Sequence, residues 1–347
     1  MGKDYNQGIP EAGMTRLRRS GNWGLAALGG VLVVALAAAP AWAQSKNEKD
    51  INDIGHRGVG KGLDFYSMQK EIALGKMLAS RVDATSRIIK DPVVNEYVNR
   101  LTQNLVRNSD AHVPFTVQVI DSPQINAMAL PGGFLFVNSG LVLAADDEAE
   151  LAAVLSHEIA HVAARNGTRN ATKAEIVNYA TLPLIFVAGP VGFLGRSLSG
   201  LAVPMTFLKF SRGAEREADF LGVQYMYKTG YDPEGMVSMF EKLAAMKKKE
   251  PGRIARAFET HPPTPDRIRA TEHEIATLLP PRPEYIEDTS DFEHVKARLA
   301  MLEKEYHTDD MLHGGYHPSL RHPQGRNPQQ NGHPTLERRP ADQDGTN

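Results

Sequence analysis

The sequence predicts a mainly helical α+β fold with a small antiparallel sheet beside one helix. Two segments, residues 71–79 and 92–106, carry apolar residues at the three-and-four spacing of a helix. A further segment with helical spacing, residues 151–166, comes later in the chain. Between them lie three short segments with strand character, the last two joined by a Pro-Gly-Gly turn: residues 115–120, 125–130 and 134–137. The sheet should therefore lie directly before the third helix.

That third helix carries a His-Glu-x-x-His motif at positions 157–161. Residues four apart share one helix face, so His157 and His161 can reach one metal ion, with Glu158 beside them. The motif is typical of zinc hydrolases in which the glutamate is the general base. Taken alone, it also fits an ordinary helix surface. Its apolar neighbours indicate burial, and buried imidazoles without a partner are costly, which favours the metal site.

A second helix with charged residues is predicted at residues 211–227. Glu215 and Asp219 are four positions apart and share a face. Two histidines, a glutamate and water make a catalytic zinc site with an open position, so Glu215 is a candidate third ligand. Asp219 can then hydrogen-bond a ligand histidine, while Glu217 points elsewhere. The alternative is a solvated, charged helix face.

Two further features accompany these helices. His261 is followed by two prolines, and Arg267 lies six positions on; this rigid cluster suits a positioned group. His261 is a candidate fourth metal ligand. His261 and Arg267 are also candidate catalytic residues that stabilise an oxyanion, and Arg267 can otherwise brace His261 or pair with a carboxylate. The alternative is an exposed turn. Zinc peptidases commonly hold substrate as an added strand at a sheet edge, which makes Asn126 and Ala127 candidate substrate-binding residues.

Composition and patterning define the remaining expectations. No basic patch interleaved with aromatic residues occurs, so nucleic acid is not an expected partner. Cysteine is absent, which excludes disulfides, thiolate ligands and a lipid-modified cysteine. Three arginines, an apolar run and Ala41-Trp42-Ala43 predict a secretory signal peptide cleaved between Ala43 and Gln44, and hence a periplasmic protein. The alternative is an uncleaved membrane anchor.

The same patterns divide the chain into five parts. They are a signal peptide at residues 1–43, a flexible arm at 44–62, a catalytic domain at 63–285, a helix at 286–308 and a disordered tail at 309–347. Within the domain, residues 182–210 are apolar but broken by glycine and proline. Three interpretations of this segment remain open: a lid over the cleft, a loop that contacts the membrane surface, or ordinary core.

Five motifs together resemble the HtpX/BepA/LoiP-like zinc metallopeptidases, a gluzincin family related to the CAAX prenyl endopeptidases. They occur in the family's order and cover about residues 64–270. The motifs are Asn-Ala-Met-Ala-Leu-Pro-Gly-Gly at 126–133, Gly-Leu at 140–141, Ser-His-Glu-Ile-Ala-His at 156–161, Glu-Arg-Glu-Ala-Asp at 215–219 and His-Pro-Pro-Thr-Pro-Asp-Arg at 261–267.

The resemblance implies a zincin-like domain with one zinc ion per chain and Glu158 as the catalytic base. It implies that His261 either enters the zinc shell and holds the enzyme inactive or steadies the transition state. Arg267 and Asp219 match the family's arginine and aspartate near the ligands. The implied zinc ligands are His157, His161 and Glu215.

We therefore expect a periplasmic endopeptidase that cleaves unfolded or misassembled envelope proteins. Two departures from the resemblance bear on its partners. The helical repeat domain of BepA-like proteins has no counterpart here, and the lipid anchor of LoiP-like proteins has no cysteine to carry it. The alternative function is a chaperone-like protein that binds clients, with a structural or latched zinc site.

Overall fold

The computed structural model describes residues 46–60, 62–176, 210–249 and 261–313. Two short 3₁₀ turns lie at Lys46–Lys49 and Ile51–Asp53, and residues 166–176 are also helical. The predicted class, mainly helical α+β, is confirmed. The named elements are α1 Met68–Thr85, α2 Pro92–Arg107, β1 Thr116–Ile120, β2 Ala127–Leu130, β3 Phe134–Asn138, α3 Ser139–Ala144, α4 Glu148–Ala163, α5 Arg212–Thr229, α6 Glu234–Lys249, α7 Pro265–Leu278 and α8 Ser290–His313.

The three strands form one mixed sheet with the order β1-β3-β2. Strands β2 and β3 are an antiparallel hairpin whose turn uses Gly132 and Gly133, both in left-handed backbone conformations. Strand β1, however, pairs with β3 in parallel. The sheet was expected to be wholly antiparallel. It is mixed because the chain passes from β1 to the opposite edge strand, β2, and returns through the hairpin to β3 in the centre. Strand β3 therefore runs in the same direction as β1.

Helix α4 occupies the centre of the domain. All its residues are buried, and it packs on α2, α5, α6 and strand β2. The Asp147 side chain caps it by accepting a hydrogen bond from the Glu150 N–H at 2.8 Å. The helix ends at Ala163, earlier than expected, because Arg165 adopts a left-handed conformation with φ +54°. A central buried helix offers a rigid platform for the His-Glu-x-x-His residues.

The chain before α1 packs against this core. Arg57 is buried and forms an ion pair with Asp110 at 2.5 Å and a hydrogen bond with Gln224 at 2.6 Å. Tyr225 donates to the same Asp110 carboxylate at 2.9 Å. We expected residues 44–62 to form a flexible arm. Residues 46–60 pack on the domain through Ile54, which lies in the core, and through the buried Arg57 guanidinium, which reaches α5.

Several sequence predictions fall outside the described residues. These are the signal peptide, the apolar segment up to residue 209 and the tail beyond residue 313. The last helix begins at Ser290 and extends to His313, further than predicted, and Thr289 accepts the capping hydrogen bond from the Phe292 N–H at 3.2 Å. Among the described helices, none has the combination of length and apolar character that crossing a membrane requires.

The Arg57–Asp110 pair allows a test of the packing of the N-terminal segment. We expect Arg57→Met to lower the free energy of unfolding by about 3–5 kcal/mol, because it leaves a buried carboxylate without its cation. Arg100→Met, which breaks the exposed Arg100–Asp291 pair, should cost less than about 1 kcal/mol. Urea denaturation of both variants measures the difference. Equal, small losses would contradict the buried-pair argument.

Candidate metal centre

Four buried side chains from three parts of the fold converge on one point. Helix α4 contributes His157 and His161, α5 contributes Glu215, and His261 lies just before α7. Each offers one donor atom, and these four atoms all lie within 4.8 Å of one another. The two histidines meet because of their spacing on α4, whereas Glu215 and His261 arrive through tertiary packing.

The separations between donor atoms match those of a small metal site. His157 Nε2 lies 3.1 Å from His161 Nε2 and 3.6 Å from Glu215 Oε2, and His161 Nε2 lies 3.5 Å from Glu215 Oε1. His261 Nδ1 lies 3.4 Å from His157 Nε2 and 2.8 Å from Glu215 Oε1. Zinc ligands about 2.0–2.1 Å from the ion in a tetrahedron stand about 3.3–3.4 Å apart. The cluster therefore has dimensions that suit zinc.

The charge and bonding of the cluster also fit a cation. Both carboxylate oxygens of Glu215 are buried, yet neither has a well-directed hydrogen bond. Imidazole and carboxylate are ligand types that zinc prefers. Three buried carboxylates lie in this region, Glu158, Glu215 and Asp219, and one guanidinium, that of Arg267, interacts with all three. A divalent cation balances this excess of negative charge.

Glu158 lies between the donor cluster and the sheet. Its Oε2 accepts a hydrogen bond from the Ala129 N–H of strand β2 at 2.8 Å, which fixes the carboxylate at the sheet edge. Burial raises the pKa of Glu158, and the nearby histidines only partly oppose this effect. A carboxylate with a raised pKa is a stronger base than an exposed one and suits proton transfer near neutral pH.

Asp219 and Arg267 form a buried pair behind His157. Asp219 Oδ1 lies 2.9 Å from His157 Nδ1, and Arg267 donates to both Asp219 oxygens at 2.7 and 2.6 Å. Burial alone raises the pKa of Asp219, but the Arg267 guanidinium outweighs it and lowers the value. Asp219 therefore stays charged and lies where it can orient the His157 ring.

Arg267 has its donors committed within the protein. Besides Asp219, its Nη1 lies 3.1 Å from Glu215 Oε2 and donates to the backbone carbonyls of His261 and Pro262, each at 3.1 Å. The sequence leaves open whether this residue stabilises an oxyanion or braces His261 and pairs with a carboxylate. Its geometry favours the bracing role: Arg267 holds the ligand cluster and the His261 backbone, rather than facing a substrate.

The environments of the two α4 histidines differ. Burial lowers the pKa of His157, but Asp219 and Glu215 reverse this effect and raise it to about 9. Burial also lowers the pKa of His161, to about 3, because Glu215 compensates only partly. His161 therefore presents a neutral imidazole. A cation at the cluster must compete with a proton at His157, so metal binding there is coupled to pH.

Strand β2 has backbone groups on its outer edge, beside Glu158 and the donor cluster. Asn138 N–H donates to the Asn126 carbonyl at 3.0 Å, so Asn126 faces β3. Alternation along an antiparallel pair then turns the backbone groups of Ala127 and Ala129 to the outer edge. The hydrogen bond from Ala129 to Glu158 agrees with this alternation. Of the two predicted substrate-binding residues, Ala127 thus has its backbone on the outer edge, while the buried Asn126 supports the strand.

Three residues of the site carry no clear signal in the sequence. The Phe210 ring stacks on the His161 ring with centroids 4.0 Å apart and an interplanar angle of 15°. Asn166 lies beside the other edge of the same imidazole. Gly222 of α5 packs against α4, where an added Cβ would lie 3.1 Å from the His157 backbone nitrogen. Only tertiary structure brings these residues to the site. Glu217, the weaker ligand candidate, pairs instead with Arg169 at 2.9 Å.

A buried His-Glu-x-x-His helix, a glutamate from a second helix and an adjacent sheet edge define a zinc metallopeptidase domain. Comparison with known families agrees: residues 92–275, over half of the chain, match peptidase family M48. The chain belongs to this family, whose members are zinc metalloendopeptidases.

Individual relatives are similar over much of the chain. The beta-barrel assembly-enhancing protease of Yersinia pestis is 31% identical over 230 residues, which cover 62% of this chain and 46% of the relative. Metalloprotease LoiP of Escherichia coli is 30% identical over 244 residues, 69% and 93% of the two chains. The mitochondrial metalloendopeptidase OMA1 of Schizosaccharomyces pombe is 30% identical over 213 residues, 61% and 60%. The chain spans about half the length of the beta-barrel assembly-enhancing proteases that it matches.

The contact at Gly222 leads to a prediction about metal binding. Gly222→Val should overpack the α4–α5 interface, move Glu215 away from His157, and reduce the zinc content of the purified protein. The loss of stability should be about 1–3 kcal/mol. Zinc analysis by atomic absorption and thermal denaturation measure the two effects.

Gly213 provides a matched control on the same helix. An added Cβ there meets only Ser211 Oγ, at 3.8 Å, so Gly213→Ala should leave zinc content and stability nearly unchanged. Full zinc content in Gly222→Val would show that the helix contact does not position Glu215.

Proposed function

We propose that this protein hydrolyses internal peptide bonds of unfolded or misassembled envelope proteins in the periplasm. The observation that carries the proposal is the position of Glu158. Its carboxylate is hydrogen-bonded to the outer edge of β2 and lies beside the His157–His161–Glu215 cluster. A general base therefore stands between a metal site and a strand edge that can hold a peptide.

In this proposal His157, His161 and Glu215 are the zinc ligands. A bound zinc ion supplies Lewis acidity, which polarises the scissile carbonyl and acidifies a water molecule. Glu158 takes a proton from the attacking water on a carboxylate oxygen and delivers it to the nitrogen of the departing amine. The Ala129 N–H keeps the carboxylate aligned during both transfers. Asp219 holds the His157 ring, and Arg267 holds Asp219.

The proposed substrate is an extended, unfolded polypeptide. The backbone groups of Ala127 and Ala129 lie on the outer edge of β2, so a peptide can add as a further strand through main-chain hydrogen bonds. Such binding requires an extended conformation and demands little of the side chains. Folded proteins rarely offer a free extended segment, which makes unfolded or misassembled chains the expected substrates.

The cellular setting is also part of the proposal. A periplasmic location is supported by the sequence pattern of residues 1–43, and an envelope client by the similarity to beta-barrel assembly-enhancing proteases. The apolar pattern of residues 182–210 supports contact with a membrane surface. These points rest on the sequence and the relatives.

We further propose that His261 closes the site in the resting protein. Its Nδ1 is 2.8 Å from Glu215 Oε1 and 3.4 Å from His157 Nε2, so the imidazole stands where a fourth ligand would bind. A catalytic zinc site keeps one position open for water or substrate. Withdrawal of the His261 imidazole would provide that position.

Glu158→Gln tests the catalytic base. The amide oxygen of Gln can still accept from the Ala129 N–H, but it cannot take a proton. We expect unchanged zinc content and a fall in casein cleavage of at least about 100-fold. Zinc analysis and a fluorescent casein assay measure the two. Retained cleavage by the variant would refute the assignment of Glu158.

The same variant separates the peptidase from the chaperone-like alternative. A client-binding protein with structural zinc would suppress aggregation of an unfolded client equally well with or without Glu158. A peptidase should lose its effect on the client together with its cleavage products. Light scattering and gel analysis of one reaction distinguish the two functions.

His261→Ala tests the closed state. If the imidazole occupies the open position, its removal should raise casein cleavage several-fold at unchanged zinc content. His273→Ala, at an exposed position of α7, is the control and should behave like the parent protein. An inactive His261→Ala variant that retains zinc would contradict the closed state and assign His261 to catalysis.

A further inference from the structure

Asn166 lies directly behind His161, the second histidine of α4, much as Asp219 lies behind His157. The side-chain amide of Asn166 is buried, and its nitrogen is 3.2 Å from His161 Nδ1. This is the edge of the imidazole opposite to Nε2, the atom that faces Glu215. Asn166 therefore lies at the Nδ1 edge of His161, as Asp219 does at that of His157, but its amide nitrogen rather than an oxygen is nearest the ring.

The chain reaches this position through an unusual backbone conformation. In a continuous helix, a residue five positions after His161 lies about 140° around the axis and points away from it. Arg165 adopts φ +54°, which ends α4 and turns the chain. Arg165 is held there by ion pairs with Glu71 at 2.6 Å and Asp64 at 3.1 Å. The strained residue thus brings Asn166 back to the His161 ring.

Asn166 is held from its other side. Arg169 Nη1 donates to Asn166 Oδ1 at 3.1 Å and to Glu217 Oε2 at 2.9 Å. Glu217 lies on α5, two residues after Glu215. A chain of polar contacts therefore runs from His161 through Asn166 and Arg169 to the helix that carries Glu215. These contacts join the end of α4 to α5 independently of the Asp219–Arg267 pair.

A histidine that binds a metal through Nε2 carries its proton on Nδ1 and donates it to an acceptor. The oxygen and nitrogen of an asparagine amide exchange places by a half turn of the side chain, so Asn166 can supply that acceptor. This half turn breaks the hydrogen bond from Arg169 Nη1 to Asn166 Oδ1, and Arg169 then keeps its contacts with Glu217 and with the Ala164 carbonyl, the latter at 3.2 Å. The amide can thus select the His161 tautomer that leaves Nε2 free for a metal.

We propose that Asn166, with its amide oxygen turned to His161 Nδ1, is a positioning residue that fixes the ring orientation and tautomer of His161 for metal binding. The inference rests on the ligand set proposed above. It adds a partner for His161, the ligand for which the sequence suggested none. Asn166 acts through His161 and does not contact the reacting atoms.

The test measures zinc affinity by competition with a chromophoric chelator, using the full chain. Asn166→Leu removes the acceptor at similar volume and should weaken zinc binding about 10–100-fold. Asn166→Asp keeps an acceptor and should bind zinc at least as tightly as the parent. Thr172→Val is the matched control, because it removes the hydrogen bond from the Phe65 N–H in the same helical segment without touching His161, Arg165 or Asp64. It should leave zinc affinity unchanged.

Thermal denaturation of the metal-free proteins separates positioning from general stability. Asn166→Leu should lower the melting temperature no more than Thr172→Val does. Parental zinc affinity in Asn166→Leu would overturn the inference, as would an Asn166→Asp variant that binds zinc as weakly as Asn166→Leu. His161→Ala tests the ligand set itself: if that variant keeps parental affinity, the proposed ligands are wrong. If it alone loses affinity, only the role of Asn166 fails.

Discussion

The compensation of buried negative charge is the constraint on which this structure depends. Glu158, Glu215 and Asp219 are all buried within one region, and Arg267 is the guanidinium that interacts with them. Carboxylates buried in this way destabilise a fold unless cations and hydrogen bonds surround them. Helix α7 is packed against α5 and α6 so that Arg267 reaches both Glu215 and Asp219. A cation bound between the imidazoles and Glu215 would balance the remaining negative charge. Metal binding would therefore be coupled to the stability of the core.

Local rules explain the parts that the sequence predicted well. The metal-binding face of α4 follows from helical periodicity, as does the pairing of Glu215 with Asp219 on α5. Capping is equally local: Asp91 and Ser211 accept hydrogen bonds from the first turns of α2 and α5, where the sequence signals begin. The order of the motifs, which matches that of the family, then indicates that these helices contribute to one site. Each of these predictions depends on residues within about one helical turn of one another, or on motif order.

The features that escaped prediction are contacts between distant segments. Arg57 and Asp110 are 53 positions apart, and neither has a pattern that marks it as buried. The parallel pairing of β1 with β3 depends on which strand takes the central place, a choice that alternation alone does not make. Gly222 matters because α4 crosses at that point, and Asn166 because Arg165 turns the chain. In each case, the role of the residue depends on where a distant segment packs, and a single sequence does not give that position.

If His261 closes the site as proposed, the same contacts limit how the site can open. Arg267 donates to the backbone carbonyls of His261 and Pro262 while it holds Asp219 with its other nitrogens. Moving the His261 segment away from the cluster would break these bonds and loosen the support of His157 at the same time. Rotation of the His261 imidazole about its own side-chain bonds would leave both the carbonyl hydrogen bonds of Arg267 and the support of His157 intact. The arrangement of Arg267 therefore favours a side-chain movement, in which the ligand cluster stays assembled while the position beside Glu215 becomes free.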